Sequence, residues 1–292
     1  MNPSPQSRPW FRPWYLMTAL LVQMLLWPLA QAEIVSPEWL KSQMNDREIL
    51  ILDVREPREF HQGHIQGSVN IPPMSLFAEG YFMPPLGQMR ELFSSAGVDE
   101  HRRVVALDNG EFIWAARLYW LLETLGHEHT FLLDTAYGHW EPGLFNLSTE
   151  AETPDRRTFV PMVDNERFQT KLGTLAAIGR NPILDGRAEL HYLGQESTAS
   201  RYGHIPTAQH SPCTRNYEVT PSGTRLRDLT ALADLYSHLP RDQQVILYCD
   251  GGAEAALNYV VLRALGYEAA VYDGSWLEWG NDPALPIVNP SE

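Results

Sequence analysis

Residues 245–257 read VILYCDGGAEAAL. A short apolar run, Val245 to Tyr248, stops at Cys249. The glycine pair Gly251-Gly252 follows, and an Ala-rich run over 254–265 predicts a helix. A strand that ends on a cysteine, turns through glycines and enters a helix is a chemical device. Glycines let backbone N–H groups converge on one point. The helix N-terminus adds partial positive charge there. A thiol at that point ionises more easily, and the thiolate is the nucleophilic form. The other fate open to such a cysteine is a buried structural thiol.

Outward from this stretch, the chain alternates strands and helices, which predicts an α/β fold with a mainly parallel sheet. Apolar runs at 49–54, 103–108 and 129–134 read as buried strands. Ser36-Pro37 starts a helix through about Met44. Residues 56–61, 84–95 and 111–125 are the further helices of the first half. Residues 141–160 break the rhythm with Pro, Gly, Ser, Thr and acidic residues and read as a linker. The same elements then return in order. Leu184-Asp185-Gly186-Arg187 repeats Leu52-Asp53-Val54-Arg55, and Gly203-His204-Ile205 repeats Gly63-His64-Ile65. Residues 245–249 repeat 104–108, and Tyr272-Asp273 with Trp279 repeats Leu133-Asp134 with Trp140. The chain is two copies of one unit, residues 33–140 and 161–292. They differ at one decisive place: Cys249 of the second is Asp108 in the first.

Residues 1–32 read as a secretory signal. Arg8 and Arg12 precede a mostly apolar run, and Ala30-Gln31-Ala32 is a small-x-small cleavage site. The apolar run is short for a bilayer span of about 20 residues, so cleavage and a periplasmic or secreted product are expected. The whole chain carries a formal charge of −14, and without the two leader arginines 20 basic residues face 36 acidic ones, or −16. Such a surface repels nucleic acid and anionic lipid, so neither is an expected partner, and no membrane partner remains after cleavage. The only cysteines are Cys213 and Cys249. Outside the cytoplasm two cysteines can pair. A thiol-disulfide protein using both is therefore one open reading.

In the first half, LDVREPREFHQGHIQGSVNIP (52–72) resembles the rhodanese family. VVALDNGEFIWAARLYWLLETLGH (104–127) is similar to the silent first domain of its tandem two-domain sulfurtransferases. LDGRAELHYLG (184–194) and CDGGAEA (249–255) resemble the active domain and its loop. The fold implied is two rhodanese-like domains, each a small, mainly parallel sheet with helices on both faces. The resemblance implies a Cys249 persulfide carrier, with Arg187 on the substrate side. The loop residues Asp250, Gly251, Gly252, Ala253, Glu254 and Ala255 would cradle the sulfur. It implies thiosulfate or 3-mercaptopyruvate as donor, and a thiol, cyanide or protein cysteine as acceptor. No metal or organic cofactor is expected.

Asp250 and Glu254 add two carboxylates to this loop. If they face the site they disfavour a thiolate and repel anionic donors; if they face solvent they do neither. This leaves a second reading, a binding or sulfur-sensing module that keeps the fold and turns over poorly. His64 and His204 are expected to hold turns, and Asp53 with Arg55 to form a structural pair. In the first copy, Asn109-Gly110-Glu111-Phe112 has one glycine where the second has two. Poorer convergence of its N–H groups is expected.

Overall fold

The computed structural model describes residues 32–292. Residues 1–31 of the leader read from the sequence thus lie outside the described residues. Among the described residues no helix is long and apolar enough to cross a membrane.

Two five-stranded sheets repeat one topology. The first runs Glu33–Val35, Thr130–Leu133, Arg103–Leu107, Ile49–Asp53, Val69–Asn70. The second runs Phe168–Gln169, Ala269–Tyr272, Val245–Tyr248, Ile183–Asp185, Ala208–His210. All neighbours in both sheets are parallel. The apolar run at 245–248 is explained by burial on both faces. In the second sheet the chain passes outward from Ile183–Asp185 to the edge strand, then returns on the other side to Val245–Tyr248. The order therefore reverses between these two strands. Their register pairs Tyr248 with Asp185, so Cys249 leaves the sheet at the reversal, where open α/β sheets bind ligands.

Each central strand feeds a long helix, Ile113–Thr124 in the first copy and Ala253–Ala264 in the second. These two helices pack on each other, and nearly all their side chains are buried. A helix apolar all round is stable only with neighbours on every side. The Tyr259 hydroxyl donates to Glu123 across this contact at 2.8 Å. A hairpin, Tyr217–Thr220 with Gly223–Leu226, leans from the second half onto the first. Leu226 N–H donates to Asp134 O at 2.7 Å, and Ala136 N–H to Thr224 O at 3.0 Å. Within the stretch read as a linker, Leu147–Ser148 pairs antiparallel with His64–Ile65, while Phe145 and Phe159 are buried. A two-residue strand leaves no alternation to read.

Candidate active site

Cys249 follows a wholly buried strand and is itself 1% exposed. Its loop is held from behind by the helix Ser275–Trp279. Trp276 N–H donates to Cys249 O at 2.9 Å and Leu277 N–H to Asp250 O at 3.0 Å. Cys249 N–H donates to Ser275 Oγ at 3.2 Å. Gly252 caps the following helix at φ 87°, a left-handed conformation open to glycine. Its N–H donates to Cys249 Sγ at 3.0 Å, and Ala255 N–H also favours the anion. Ala253 opens the helix between them.

The convergence expected around the sulfur is therefore present, yet the thiol is not acidified. Burial pushes the Cys249 thiol well above its ordinary value, and the Glu254 charge adds to this. Asp250 acts in the same direction, while the Ala255 and Gly252 N–H groups act against it. Desolvation of a thiolate here outweighs two N–H donors. Cys213, 5% exposed, is raised for the same first reason, then by Glu254 and Cys249. Both thiols are free.

The two loop carboxylates have different surroundings. Asp250 accepts from Thr198 Oγ1 at 2.5 Å and lies 3.1 Å from His191 Nδ1. Glu254 lies close enough to Cys249 for its charge to raise the thiol. Burial first, then Asp250, pushes the Glu254 carboxyl up to about 7. Glu254 also lines a cavity of about 410 Å³ with Gly186, His210, Cys213 and Arg215.

Arg187 is fully buried. Its Nε and Nη2 bind Asp185 at 2.9 and 2.6 Å, and Nη2 donates to Gly203 O at 2.8 Å. Arg55 makes the same contacts with Asp53 and Gly63 O in the first copy. The remaining nitrogen, Arg187 Nη1, makes no hydrogen bond among the described residues and lies 3.9 Å from Asp250. His64 and His204 hold turns through the carbonyls of Phe60 and Tyr192, at 2.9 and 2.7 Å, and stack on those rings.

The first copy corrects one expectation. Its N–H groups do converge: Asp108 accepts from Gly110 at 2.8 Å, Phe112 at 3.0 Å and Ala115 at 3.1 Å. One extra loop residue lets Phe112 take the left-handed cap, at φ 60°, that Gly252 takes in the second copy. A carboxylate thus fills the place where the second copy holds a sulfur.

Several contributors were not visible in the sequence. His191 and Thr198 hold Asp250, and Ser275 holds the Cys249 backbone. From the first half, Tyr81 lies against Gly251, where an added Cβ would come within 3.0 Å of it. Arg117 passes beside Gly252 to pair with Asp273 at 2.7 Å. These partners are far apart along the chain and carry no shared local pattern.

A rhodanese-like domain model matches residues 36–142 and 166–282. A thiosulfate sulfurtransferase of Azotobacter vinelandii is 27% identical over 267 residues, spanning 87% of this chain and 96% of its own. The sulfur carrier protein TtuD of Thermus thermophilus is 27% identical over 280 residues, spanning 89% and 97%. The 3-mercaptopyruvate sulfurtransferase SseA of Escherichia coli superposes with a TM-score of 0.73 over 84% of this chain and 99% of its own. At 23% identity that likeness speaks for the fold alone. With both halves matched and the sheet order repeated in each, the chain belongs to the rhodanese family as a tandem two-domain member.

Proposed function

We propose that the protein is a sulfurtransferase that moves a sulfane sulfur from a small donor to a thiol or cyanide through a persulfide on Cys249. The observation that carries this is the sulfur atom at the strand reversal, 3.0 Å from the Gly252 N–H at the start of a buried helix. In the first half-reaction the Cys249 sulfur attacks the outer sulfur of the donor. The donor's S–S or C–S bond breaks, and its electron pair leaves with the remainder. In the second, an acceptor attacks the outer sulfur of the persulfide and Cys249 returns to the thiol. This is double displacement with a covalent intermediate. The loop from Asp250 to Ala255 spreads the persulfide charge over backbone N–H groups. The three N–H donors on Asp108 are the model for how such a cradle holds an anion.

Thiosulfate and 3-mercaptopyruvate are the donors proposed, and Arg187 supplies positive charge near the loop through Nη1. A protein cysteine is a further acceptor, a reading supported by the likeness to a sulfur carrier protein. The leader read from the sequence supports a periplasmic or extracellular setting for this chemistry. The high thiol pKa and the burial of Cys249 favour one alternative, a sulfur-sensing module with slow turnover.

The test is peptide mass spectrometry after incubation with each donor, followed by acceptor. Cys249 should gain one sulfur and lose it to the acceptor, with ping-pong kinetics. Cys249→Ser should abolish transfer and keep the fold, while Cys213→Ser should retain at least part of it. Wild-type turnover in Cys249→Ser would end the enzyme reading. A Cys213→Ser protein that is equally inactive would favour two-cysteine redox chemistry.

A further inference from the structure

We propose that a groove beside the Cys249 loop is the docking surface for an acceptor protein. That protein presents its cysteine on an extended segment with an apolar side chain and basic residues. The assignment rests on the sulfurtransferase reading above and gives that reaction its acceptor. The groove holds about 610 Å³ between Tyr81 and Phe82 of the first half and Leu277, Glu278, Asp282 and Pro283 of the second. Both walls touch the Cys249 loop. Tyr81 packs against Gly251, and Leu277 N–H donates to Asp250 O at 3.0 Å. A segment seated in the groove therefore meets the loop within two residues of the nucleophile.

The first wall is a strained strap. Tyr81 stands at φ 64°, directly after Gly80 at φ 76°. A left-handed tyrosine persists only where its surroundings impose it. Here Tyr81 N–H donates to Ala78 O at 3.1 Å, and Ala78 N–H to Phe82 O at 2.8 Å. Met83 N–H anchors the far end on Asp273 at 2.6 Å. The Tyr81 ring meets Phe77 edge-on, with centroids 5.7 Å apart. The strain leaves two adjacent aromatic side chains in the open, Tyr81 at 46% and Phe82 at 38% exposed. Exposed aromatics grouped at a groove are the usual anchors of a protein interface.

The chemistry of the walls selects the occupant. No basic residue lines the groove, whereas Glu278 and Asp282 do. Lys171 pairs with both, at 3.5 and 2.9 Å, and Tyr272 OH donates to Glu278 at 2.9 Å. The Arg201 guanidinium lies behind Asp282, taken up by backbone carbonyls such as Trp279 O and Leu285 O. Glu79, exposed beside Gly80, adds a third carboxylate to the strap. Anionic donors meet no cation on this surface, so the groove serves the acceptor half-reaction. A second copy of the chain, with 36 acidic residues against 22 basic ones, brings charge of the same sign. A basic segment with one apolar side chain complements both features. Its thiol attacks the outer sulfur of the Cys249 persulfide. The S–S bond breaks, its electron pair stays on Cys249, and Cys249 takes the proton the acceptor gives up. Cys–S–SH and R–SH become Cys–SH and R–S–SH, with no external oxidant or reductant.

The test uses the full chain and three synthetic peptides of equal length. One carries a cysteine flanked by lysines and a leucine. The second has glutamates for the lysines, and the third has serine for the leucine. One arm measures binding by fluorescence anisotropy, with dye-labelled peptides whose cysteine is replaced by serine. The other loads Cys249 with sulfur and follows transfer to each peptide and to cyanide by mass spectrometry. The lysine–leucine peptide should bind tighter than the other two, and accept sulfur at a lower KM, by about tenfold or more. Its binding should weaken as salt rises. Phe82→Ser should raise its KM by about tenfold or more, while loading from thiosulfate and transfer to cyanide keep wild-type rates. Asp282→Asn should narrow the gap between the lysine and glutamate peptides. Equal binding of the three peptides, or wild-type values for them in Phe82→Ser, overturns the proposal and leaves the sulfurtransferase reading standing. A dimer in sedimentation that Phe82→Ser dissolves also overturns it, since the groove then belongs to a second copy. Slower loading from thiosulfate in Phe82→Ser, with peptide KM unchanged, overturns it in favour of the donor. Selective binding of the lysine–leucine peptide with no loading of Cys249 from any donor sustains the docking surface and ends the sulfurtransferase reading.

Discussion

Arg117→Met tests whether the first half of the chain holds up the Cys249 loop of the second. Arg117 is fully buried and Asp273 is 3% exposed, and they pair at 2.7 Å. The second Asp273 oxygen accepts the Met83 N–H at 2.6 Å. The guanidinium also lies 4.5 Å from the ring centroids of Phe77 and Trp120. Methionine keeps much of that packing but removes the charge. Deleting one partner of a buried pair costs about 3–5 kcal/mol, because the other charge is left uncompensated. The Met83 N–H still serves Asp273, which puts the expected loss near ~3 kcal/mol. For a unit of this size each kcal/mol moves Tm by roughly 2–4 °C, so scanning calorimetry should show a fall of roughly 6–12 °C. Asp273→Asn in the same background should restore a large part of it. A full double-mutant cycle should give a coupling of about 2 kcal/mol or more. If Arg117→Met melts within about 1 °C of wild type, or if the two changes simply add, the pair does not hold the halves together and the argument fails.

Two further predictions concern the acidic groups at the two loops. Asp108→Cys combined with Cys249→Ser should form no persulfide, although the N–H cradle is present. The reason is cover: an added Cβ at Gly110 would meet Ala136 at 2.7 Å and Thr224 of the hairpin at 3.2 Å, and Asp108 is 2% exposed. Sulfur found on the introduced thiol by peptide mass spectrometry would show that the first copy lacks only its nucleophile. Glu254 titrates near 7 in the folded protein against an ordinary 4.5, so the folded state holds its proton longer than the unfolded chain does. Stability from this group is full below about pH 4.5 and is lost as pH rises through 7. Wild type should therefore lose roughly 3 kcal/mol relative to Glu254→Gln over that window, measured by urea unfolding. The comparison cancels His127, whose depressed value, about 4 and set first by burial, acts in the opposite direction in both proteins. Parallel stability curves for the two proteins would show that Glu254 is not buried in its charged form.

Much of this architecture was legible because it is written twice. Repeated Leu-Asp-x-Arg and Gly-His-Ile segments placed the strands and turns of both sheets, and the apolar run into Cys249 placed the loop. Local patterns of this kind follow from burial on both faces and from glycine geometry. What stayed hidden depends on distance along the chain. Arg117 and Asp273 are 156 residues apart, and no periodicity marks either one. The hairpin Tyr217–Thr220 with Gly223–Leu226 has little apolar alternation, because its partners lie in the other half. The acidity of the loop was visible, but not its orientation: only the fold turns Asp250 toward Thr198 and His191 and sets Glu254 into the cavity lined by Cys213 and His210. The misjudged loop in the first copy has a related cause. Counting glycines missed that a non-glycine, Phe112, accepts the left-handed cap when buried packing supports it.

The contact of Tyr81 with Gly251 and of Arg117 with Asp273 has a consequence for the history of such a chain. A copy with Asp108 where its twin has Cys249 serves here as masonry for that twin. Each such contact makes it harder to discard. A gene that lost the first half would now encode a second half with a bare helix flank, an Asp273 without its counter-ion and a Cys249 loop with one wall missing. The duplication works as a ratchet, and keeping the second half intact now requires keeping the first.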